Sequence, residues 1–486
     1  MSTTIYDVAV VGGGPAGIAA AAETAAGGAR VVLIDATASL GGQYFRPPSV
    51  DVVHTSGRRR RKLEALGRWN DMLATHGVDI AGQTRVWGVF QASPAGPPAS
   101  LGDDSQSGPF DIHCDTGQSY RASTLIVAPG VYDRPVPIPG WTLPGVMTPG
   151  GAQTLIDKYG LVPGRRVIVG GTGPLQLAVA ASLIEAGADV VAMVDACRAT
   201  DGLTQAPRAL WRQWGRIGEI TGYLATVLRH RVAVQFGSGI FEILGTEATG
   251  VRGAVVGRVD PGGFRIPGTE RVVEADLVCH ATGFLPSVEL TRHLGCAHHF
   301  DERISAHVPT VDAQMRTNIA NVLVAGDVTG AAGQPMATLQ GRLAAISALE
   351  TLALVSPTDA DKHRNRLRPA AIREERFARM IWQRWHPRPG LMAGLQDHTV
   401  LCRCEDVTVE AVKEACADGA RDLYGVKLRT RLGMGTCQGL YCNASGAELI
   451  ARLTEQRVSD IPMPSVRPPV VPVRFSSIVG ERPERP

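Results

Sequence analysis

Four cysteines near the carboxyl-terminal end of the chain stand in two close pairs. Cys402 and Cys404 form a C-x-C pair, and Cys437 and Cys442 form a C-x4-C pair. Four thiolates can hold a metal centre, and zinc sites generally use C-x2-C to C-x4-C spacings. The C-x-C spacing is tight for one tetrahedral ion but suits a cluster of two irons. We therefore predict a metal centre on these four cysteines, either a two-iron cluster or a structural zinc.

The chain around these cysteines suits a negatively charged centre. A two-iron cluster with two sulfides and four thiolates is about a dianion, and it needs nearby positive charge and N–H donors. Thr408 is a typical N-cap for the helix that follows it. We predict a small all-helical domain here, with Cys416 in its core rather than in the metal site. The predicted compensating residues are Arg403, Lys427, Arg429, Arg431, Gly433, Gly435 and Gly439.

A second candidate site lies at the amino-terminal end. The stretch from Ile5 to Asp35 combines a strand, a G-x-G-x-x-G turn, a small-residue helix and a second strand. In such a βαβ unit the glycines allow close backbone approach, and the helix N-terminus binds a pyrophosphate. The acid after the second strand accepts hydrogen bonds from ribose hydroxyls. We predict a dinucleotide site on Gly12, Gly14, Pro15, Ala16, Gly17 and Asp35.

Three later segments are predicted to complete this site. Gly42 and Gln43 lie in a glycine-rich loop after the acid, and Gly130 follows a later strand. Gly326 and Asp327 directly follow an apolar strand. An aspartate in that position can be a mere turn former. In a chain that opens with a dinucleotide motif, we instead predict a hydrogen bond from its carboxylate to the ribityl chain of a flavin.

The stretch from Val162 to Asp195 repeats the opening pattern of strand, glycine turn, helix, strand and acid. Gly171 and Gly173 occupy the first two glycine positions, but Gln176 stands where the third glycine belongs. We predict a second nucleotide site on Gly171, Gly173 and Asp195. NAD is favoured over NADP there, because a carboxylate repels a 2′-phosphate. The alternative is a βαβ unit that serves only as scaffold.

The totals of the chain limit the function classes. It has 486 residues, of which 44% are hydrophobic, and a net charge of +3. This length predicts roughly three domains, and the near-neutral charge gives no reason to expect nucleic-acid binding. No apolar run reaches the length of a membrane span. Nine cysteines without a signal peptide predict a cytoplasmic protein, with association at the inner membrane face left open.

Two dinucleotide units and a late Gly-Asp strand resemble the flavin-dependent pyridine-nucleotide–disulfide oxidoreductases. The resemblance implies a glutathione-reductase-like α/β fold, in which FAD binds the first unit and the second unit is inserted between its two parts. Residues 1–355 contain no C-x-x-C pair, so we do not expect disulfide reduction. The expected boundaries are 1–150 and 281–355 for the FAD domain, 151–280 for the second nucleotide domain, 356–398 for a linker with one helix, 399–456 for the cysteine domain and 457–486 for a Pro-rich tail.

The block CRCED…GMGTCQGLYC is similar to the bacterioferritin-associated-ferredoxin-like 2Fe–2S domain. Behind a two-dinucleotide flavoprotein, it resembles one family: the α (A) subunits of bacterial opine oxidases and of D-hydroxyproline and dye-linked L-proline dehydrogenases, together with the HcnB-type subunits of hydrogen cyanide synthase. The resemblance spans nearly the whole chain. It implies FAD, a 2Fe–2S cluster on Cys402, Cys404, Cys437 and Cys442, and NAD or another adenine nucleotide (ATP or ADP) at the second site.

In that family the subunit pairs with a D-amino-acid-oxidase-like β subunit that has its own flavin, and in some members with a small ferredoxin-like γ subunit. The resemblance therefore implies an electron-transfer subunit of an amino or imino acid dehydrogenase. Such a subunit passes electrons between its partner and an external acceptor through 2Fe–2S and FAD. No residue of this chain is predicted to act as a catalytic base. The alternative function is a stand-alone NADH-dependent ferredoxin or iron–sulfur reductase.

Overall fold

The chain begins with a parallel βαβ unit. The structure is a computed structural model, and it describes residues 5–49, 57–91, 108–202, 204 and 206–479. The strands of this part lie in the order β3-β2-β1-β6-β5-β4, and the apolar first strand is buried between two parallel neighbours. The elements up to residue 133 are β1 (Ile5–Val11), α1 (Pro15–Ala26), β2 (Val31–Ile34), α2 (Gly42–Phe45), α3 (Gly57–Thr75), β3 (Asp79–Ala81), β4 (Val86–Gln91), β5 (Phe110–Cys114), β6 (Ser119–Val127) and β7 (Val131–Asp133).

The middle of the chain forms a second parallel sheet in the order β11-β10-β9-β15-β8, beside a three-stranded antiparallel sheet in the order β12-β13-β14. The parallel sheet belongs to a Rossmann-like unit with helices on its faces. Its elements are β8 (Val146–Met147), α4 (Pro149–Tyr159), β9 (Arg166–Thr172), α5 (Leu175–Glu185), β10 (Asp189–Asp195), α6 (Ala206–Leu210), α7 (Trp214–Arg229), β11 (Ala233–Phe236), β12 (Ser238–Thr246), β13 (Gly250–Arg258), β14 (Arg271–Glu274) and β15 (Leu277–Thr282).

The segment after β15 returns to the first sheet. Strand β19 pairs in parallel with the end of β6, so that Val322 lies beside Leu125. The predicted fold class, with one Rossmann-like unit inserted in the other, is therefore confirmed. The elements of this segment are β16 (Phe284–Pro286), α8 (Glu289–His293), β17 (His298–Asp301), β18 (Ala306–Pro309), β19 (Val322–Val324), α9 (Gln334–Thr351) and α10 (Pro357–Arg384).

Helix α10 is longer than the helix that the sequence predicts in the linker. It begins at Pro357 because Ser356 caps it, with the Ser356 hydroxyl accepting the Asp359 N–H at 3.2 Å. Pro369 interrupts the hydrogen-bond ladder inside the helix. The first half stays helical because its apolar face packs on α9 through a buried cluster of side chains. That cluster comprises Leu339, Ile346, Ala360 and Leu367.

The carboxyl-terminal part is helical, as predicted, with one short β-hairpin that the sequence did not indicate. The predicted N-cap is confirmed, since the Thr408 hydroxyl accepts the Ala411 N–H at 3.3 Å. Among the residues that the structure describes, no helix has the length and apolar character needed to cross a bilayer. The elements are β20 (Val400–Cys402), β21 (Val407–Thr408), α11 (Val409–Ala417), α12 (Leu423–Thr430), α13 (Cys442–Leu453) and α14 (Phe475–Val479).

A buried ion pair fastens this helical part to the rest of the chain. Arg134 follows β7 and is 4% exposed. Its Nη1 lies 2.9 Å from Oε1 of Glu448 on α13, and its Nη2 donates to the carbonyl oxygens of Ile304 and Ser305. Burial lowers the pKa of Arg134 and raises the pKa of Glu448, because each charge loses its hydration. The contact therefore depends on both partners being present.

We expect Glu448→Gln to destabilise the protein by about 3 kcal/mol, because it leaves a buried guanidinium without its counter-charge. The measurement is the thermal unfolding midpoint. Glu414→Gln is the matched control, because Glu414 is exposed on α11 in the same helical part. Equal midpoints for the two variants would contradict a clamping role for the pair.

Candidate cofactor sites

The first glycine turn is closed by contacts that exclude a side chain. Gly12 has a φ of 108°, and a Cβ there would overlap with the carbonyl oxygen of Ala128. A Cβ at Gly17 would overlap with the carbonyl oxygen of Gly12, so helix α1 and strand β1 meet at backbone distance. The helix begins after Gly14, where no side chain caps it. Its first N–H groups are thus available to phosphate oxygens.

Asp35 stands directly after β2 and faces this turn. Its Oδ2 accepts the Gly13 N–H at 2.6 Å, and its Oδ1 accepts the Thr37 N–H at 2.8 Å. These hydrogen bonds hold the carboxylate at the edge of the turn. Gly13, which the sequence did not single out, is required there because a Cβ would lie 3.0 Å from the Asp35 Cβ. The acid is therefore placed where a ribose would lie in a Rossmann-type site.

The glycine-rich loop after the acid passes close to the same turn. Gly42 has a φ of 55°, and a Cβ there would lie 2.8 Å from the Gly14 Cα. Gln43 is oriented by Arg46, whose Nε donates to the Gln43 Oε1 at 3.1 Å. Gly130 has a φ of 77° and faces open space. The turn and the loop after the acid are therefore brought together.

Asp327 opens the segment before helix α9. Its Oδ1 accepts the N–H groups of Ala332 and Gly333, at 3.2 and 3.0 Å. Its Oδ2 has no hydrogen-bond partner among the residues described. Burial raises the pKa of Asp327 although the two N–H donors lower it. The free oxygen can therefore accept a hydroxyl of a bound cofactor, and the donors keep the carboxylate oriented.

Helices α1 and α9 meet at a third glycine that the sequence did not single out. A Cβ at Gly341 on α9 would overlap with the Ala16 carbonyl oxygen, and a Cβ at Gly326 would lie 2.8 Å from the Ala16 Cβ. Both helices begin at the candidate cofactor site. A lone glycine inside a helical pattern was the available signal, since it often marks close packing. The small residues therefore fix the spacing between the turn and Asp327.

The second glycine turn has the same backbone form but different surroundings. Gly171 has a φ of 121°, and a Cβ there would overlap with the Ala281 carbonyl oxygen, while Gly173 has a φ of 149°. Gln176 is 3% exposed, and neither atom of its amide has a hydrogen-bond partner. Asp195 is buried under other parts of this chain. Its Oδ1 accepts the Cys197 N–H at 3.0 Å, and its Oδ2 accepts the indole N–H of Trp385 at 3.1 Å.

The four predicted cysteines come together, and they pair across the sequence rather than along it. The sulfur atoms of Cys404 and Cys437 are 3.7 Å apart. Cys442 donates its thiol hydrogen to Cys402, and this hydrogen bond is the main reason that the pKa of Cys402 falls to about 5. The same shared proton raises the pKa of Cys442. In the described part of the chain, no three potential ligand side chains converge on a single-ion site.

Glycines shape the backbone around the cysteines. A Cβ at Gly435 would overlap with the Cys404 Cβ. Gly433 has a φ of 79°, and its N–H lowers the pKa of both Cys402 and Cys442 through hydrogen bonds to their sulfurs. Cys404 is exposed and Cys437 half-buried, whereas the other two cysteines are buried. One sulfur pair thus faces solvent and the other faces the interior.

The predicted compensating cations lie around the site but are partly engaged. Arg431 donates to the Glu405 carboxylate at 2.6 Å, and the Arg403 guanidinium lies 5.4 Å from the centre of the Trp141 ring. Arg429 donates to the Gly425 carbonyl oxygen at 3.1 Å. Cys416 packs against the core of the helical part, away from the four cysteines, which agrees with its predicted role.

Tyrosines lie between the cysteines and the first Rossmann-like unit. Tyr132, on β7, donates its hydroxyl to the Leu440 carbonyl oxygen at 2.9 Å. The rings of Tyr132 and Tyr441 meet edge to face, with centroids 5.9 Å apart. Leu440 and Tyr441 lie between the last two cysteines in sequence. The cysteine site is therefore packed directly against the strand that follows Gly130, a contact that no sequence pattern indicated.

These turns and sheets define a class, the FAD-dependent oxidoreductases with two dinucleotide folds. Residues 6–347 match the family model described as pyridine nucleotide-disulphide oxidoreductase. Residues 396–481 match the model described as sarcosine oxidase A3 domain. The C-terminal match does not itself specify a metal, so the 2Fe–2S assignment stays a prediction.

Full-length relatives narrow the class. The chain is 32% identical over 485 residues to the opine oxidase A-type subunit of Agrobacterium tumefaciens (strain Ach5), and the match covers 97% of this chain and 91% of that protein. It is 30% identical over 474 residues to the hydrogen cyanide synthase subunit HcnB of Pseudomonas protegens, covering 96% of each. The chain belongs to the pyridine nucleotide-disulphide oxidoreductase family, in the group that contains these two subunits.

A solved structure supports the same fold over nearly the whole chain. The crystal structure of L-proline dehydrogenase from P. horikoshii superposes with a TM-score of 0.68 and 20% identity. The match covers 98% of this chain and 79% of that one. It extends through the carboxyl-terminal helices, so the cysteine-bearing part is a regular component of the fold.

We expect Gly17→Ala to weaken FAD binding at least tenfold, because the added methyl forces α1 away from the turn. A misfit of about 1.4 kcal/mol already corresponds to that factor. The measurement is the flavin content per purified chain and the dissociation constant on reconstitution. Gly67→Ala is the control, since a Cβ there meets nothing within 4 Å on helix α3. Full FAD content in Gly17→Ala would refute the packing argument.

Proposed function

We propose that this chain is the electron-transfer flavoprotein subunit of a hetero-oligomeric amino or imino acid dehydrogenase. A partner subunit of the D-amino-acid-oxidase type would oxidise the amine, and this chain would serve transfer to an external acceptor. The observation that carries the proposal is the position of the cysteine site. Two thiol pairs lie against β7 of the FAD-binding unit, joined through Tyr132 and Tyr441. The relatives named above are themselves subunits, which supports a divided enzyme.

The residues of the first unit fit FAD. The uncapped start of α1 offers N–H groups to the pyrophosphate, Asp35 lies at the ribose position, and Asp327 presents a free carboxylate oxygen. Gly12 and Gly17 leave no room for a side chain where the backbone must approach the cofactor. We assign these residues to hold the adenine and ribityl parts of FAD.

The cysteines fit a two-iron cluster better than a single zinc. A tetrahedral zinc draws four sulfurs to one point, whereas a 2Fe–2S cluster takes two sulfurs at each end. The pairs here are Cys402 with Cys442 and Cys404 with Cys437. We propose that each pair binds one iron. The N–H group of Gly433 would then hydrogen-bond sulfur and stabilise the negative charge.

Together these sites match the chemistry of a relay. Bound FAD exchanges electrons in pairs or singly, and a 2Fe–2S cluster exchanges them singly, so the two would separate an electron pair. The chain's own contribution is to hold both groups at a fixed spacing. The buried pair of Arg134 and Glu448 fastens one site to the other. The exposed side of Cys404 gives an external partner access to the cysteine site.

We expect Cys404→Ser and Cys437→Ser to lose iron and inorganic sulfide, because each removes one of two thiolates from the same iron. The protein should retain its FAD, since the first unit is untouched. Iron, zinc, sulfide and flavin analysis of the purified chain is the measurement. Cys416→Ser is the matched control and should keep full iron content. Stoichiometric zinc without iron in the wild-type chain would replace the cluster by a structural metal site.

The division of labour has its own test. We expect the chain alone to show no amine-dehydrogenase turnover, and co-expression with a D-amino-acid-oxidase-like neighbour to produce turnover with an artificial acceptor. The physical reason is that no side chain among the described residues is placed as a base for a substrate amine. Substrate classes to compare are opines, proline and hydroxyproline. Full turnover by the isolated chain would disprove the divided enzyme, whatever metal the cysteines hold.

A further inference from the structure

We propose that the nucleotide groove of the second Rossmann-like unit is filled by this chain's own helix end, from Trp382 to Trp385, and does not bind a pyridine nucleotide. The family description implies such a nucleotide, and the glycine turn of this unit is preserved. The groups that would hold the two ends of the nucleotide are nevertheless engaged by the end of α10. The inference is independent of the metal at the cysteine site.

The acid of the second unit is the first of these groups. In a Rossmann-type site the carboxylate after the second strand accepts ribose hydroxyls. Here Asp195 is only 4% exposed. Each of its oxygens already accepts a protein N–H, one from Cys197 and one from the indole of Trp385. Burial raises its pKa, and these two N–H donors act in the opposite direction. A ribose could reach the acid only by displacing Trp385.

Arg384 anchors the helix end beside this acid. Its Nη1 donates to the Asp201 carbonyl oxygen at 2.6 Å and to the Arg198 carbonyl oxygen at 3.2 Å. Its own carbonyl oxygen accepts the Cys197 thiol at 2.9 Å. The residues that follow β10 are thereby tied to α10. The adenosine end of the groove is occupied by a hydrogen-bonded protein segment rather than by solvent.

The same helix turn reaches the flavin side of the cleft. Trp382 donates its indole N–H to the Ala331 carbonyl oxygen at 3.0 Å. Ala331 precedes the residue whose N–H binds Asp327. A nicotinamide must pass between the second acid and the flavin in order to exchange a hydride. Trp382 and Trp385 occupy both ends of that path with side chains three positions apart on one helix.

Helix α7 closes the cleft from the other side. Glu374 of α10 is 4% exposed, and it accepts the Gln213 amide at 3.2 Å and pairs with Arg216. The Arg216 guanidinium also lies 3.8 Å from the centre of the Phe377 ring. These contacts bury the middle of α10 between the two units. The closed cleft is therefore a packed interface and not a loose covering.

Gln176 agrees with a site that has lost its nucleotide. At the third glycine position it is 3% exposed, so its amide is withdrawn from any open groove. Its unpaired amide atoms show that the space beside β9 is not arranged for polar contacts. The βαβ motif then persists because the sheet needs it. Gly171 must remain a glycine against the Ala281 carbonyl whether or not a ligand is bound.

The test uses the full chain with excess FAD, so that the first unit is loaded. We expect no saturable binding of NADH or NADPH at millimolar concentration by equilibrium dialysis. We also expect no anaerobic bleaching of the flavin, although dithionite bleaches it. Saturable NADH binding to the wild-type chain, weakened at least tenfold by Asp195→Asn, would overturn the proposal.

A stability measurement gives an independent readout. Asp195→Asn places an amide N–H₂ against one of two N–H donors, so the closed groove predicts a lower thermal unfolding midpoint. Asp189→Asn is the matched control, because Asp189 is exposed at the start of the same strand. Trp385→Phe keeps an aromatic ring and removes the donor, and it should lower the midpoint less than Asp195→Asn. Equal midpoints for the two aspartate variants would also overturn the proposal.

Discussion

The structure depends on how closely helices α1 and α9 approach each other. Their contact is backbone against backbone, because Gly341 meets the Ala16 carbonyl and Gly326 meets the Ala16 methyl. Each helix begins at the candidate FAD site, so their separation sets the distance from the phosphate-binding turn to Asp327. A larger residue at the crossing would widen the site even though it touches no cofactor. Small residues in this pair therefore determine position, not flexibility.

The local part of the design could be read from the sequence, and the long-range part could not. The first βαβ unit, the N-cap Thr408 and the cysteine pairs all depend on residues within a few positions of each other. Tyr132 meets Leu440 across 308 positions, and Arg134 meets Glu448 across 314. Neither contact leaves a periodicity or a spacing in the chain. Even the cysteines pair differently in space, since Cys402 lies with Cys442 and not with its neighbour Cys404.

The two glycine turns illustrate why a motif is not a site. Both have positive φ at the same position and both press against a carbonyl of a neighbouring strand. The first opens onto Asp35 and an unengaged oxygen of Asp327. The second leads to Asp195, whose partner Trp385 lies 190 residues further along the chain. The pattern predicts the fold correctly in both cases. The surroundings, which decide what can bind, come from elements the pattern does not contain.

The late return of β19 has a consequence for synthesis on the ribosome. The end of β6 is complete at Val127, but its partner strand begins at Val322, roughly two hundred residues later. At translation rates of about 5–20 residues per second, that edge stays unpaired for roughly 10 to 40 s. Unpaired strand edges recruit other strands. The nascent chain therefore depends on its inserted unit folding promptly, or on a chaperone that shields β6 until the missing strand emerges.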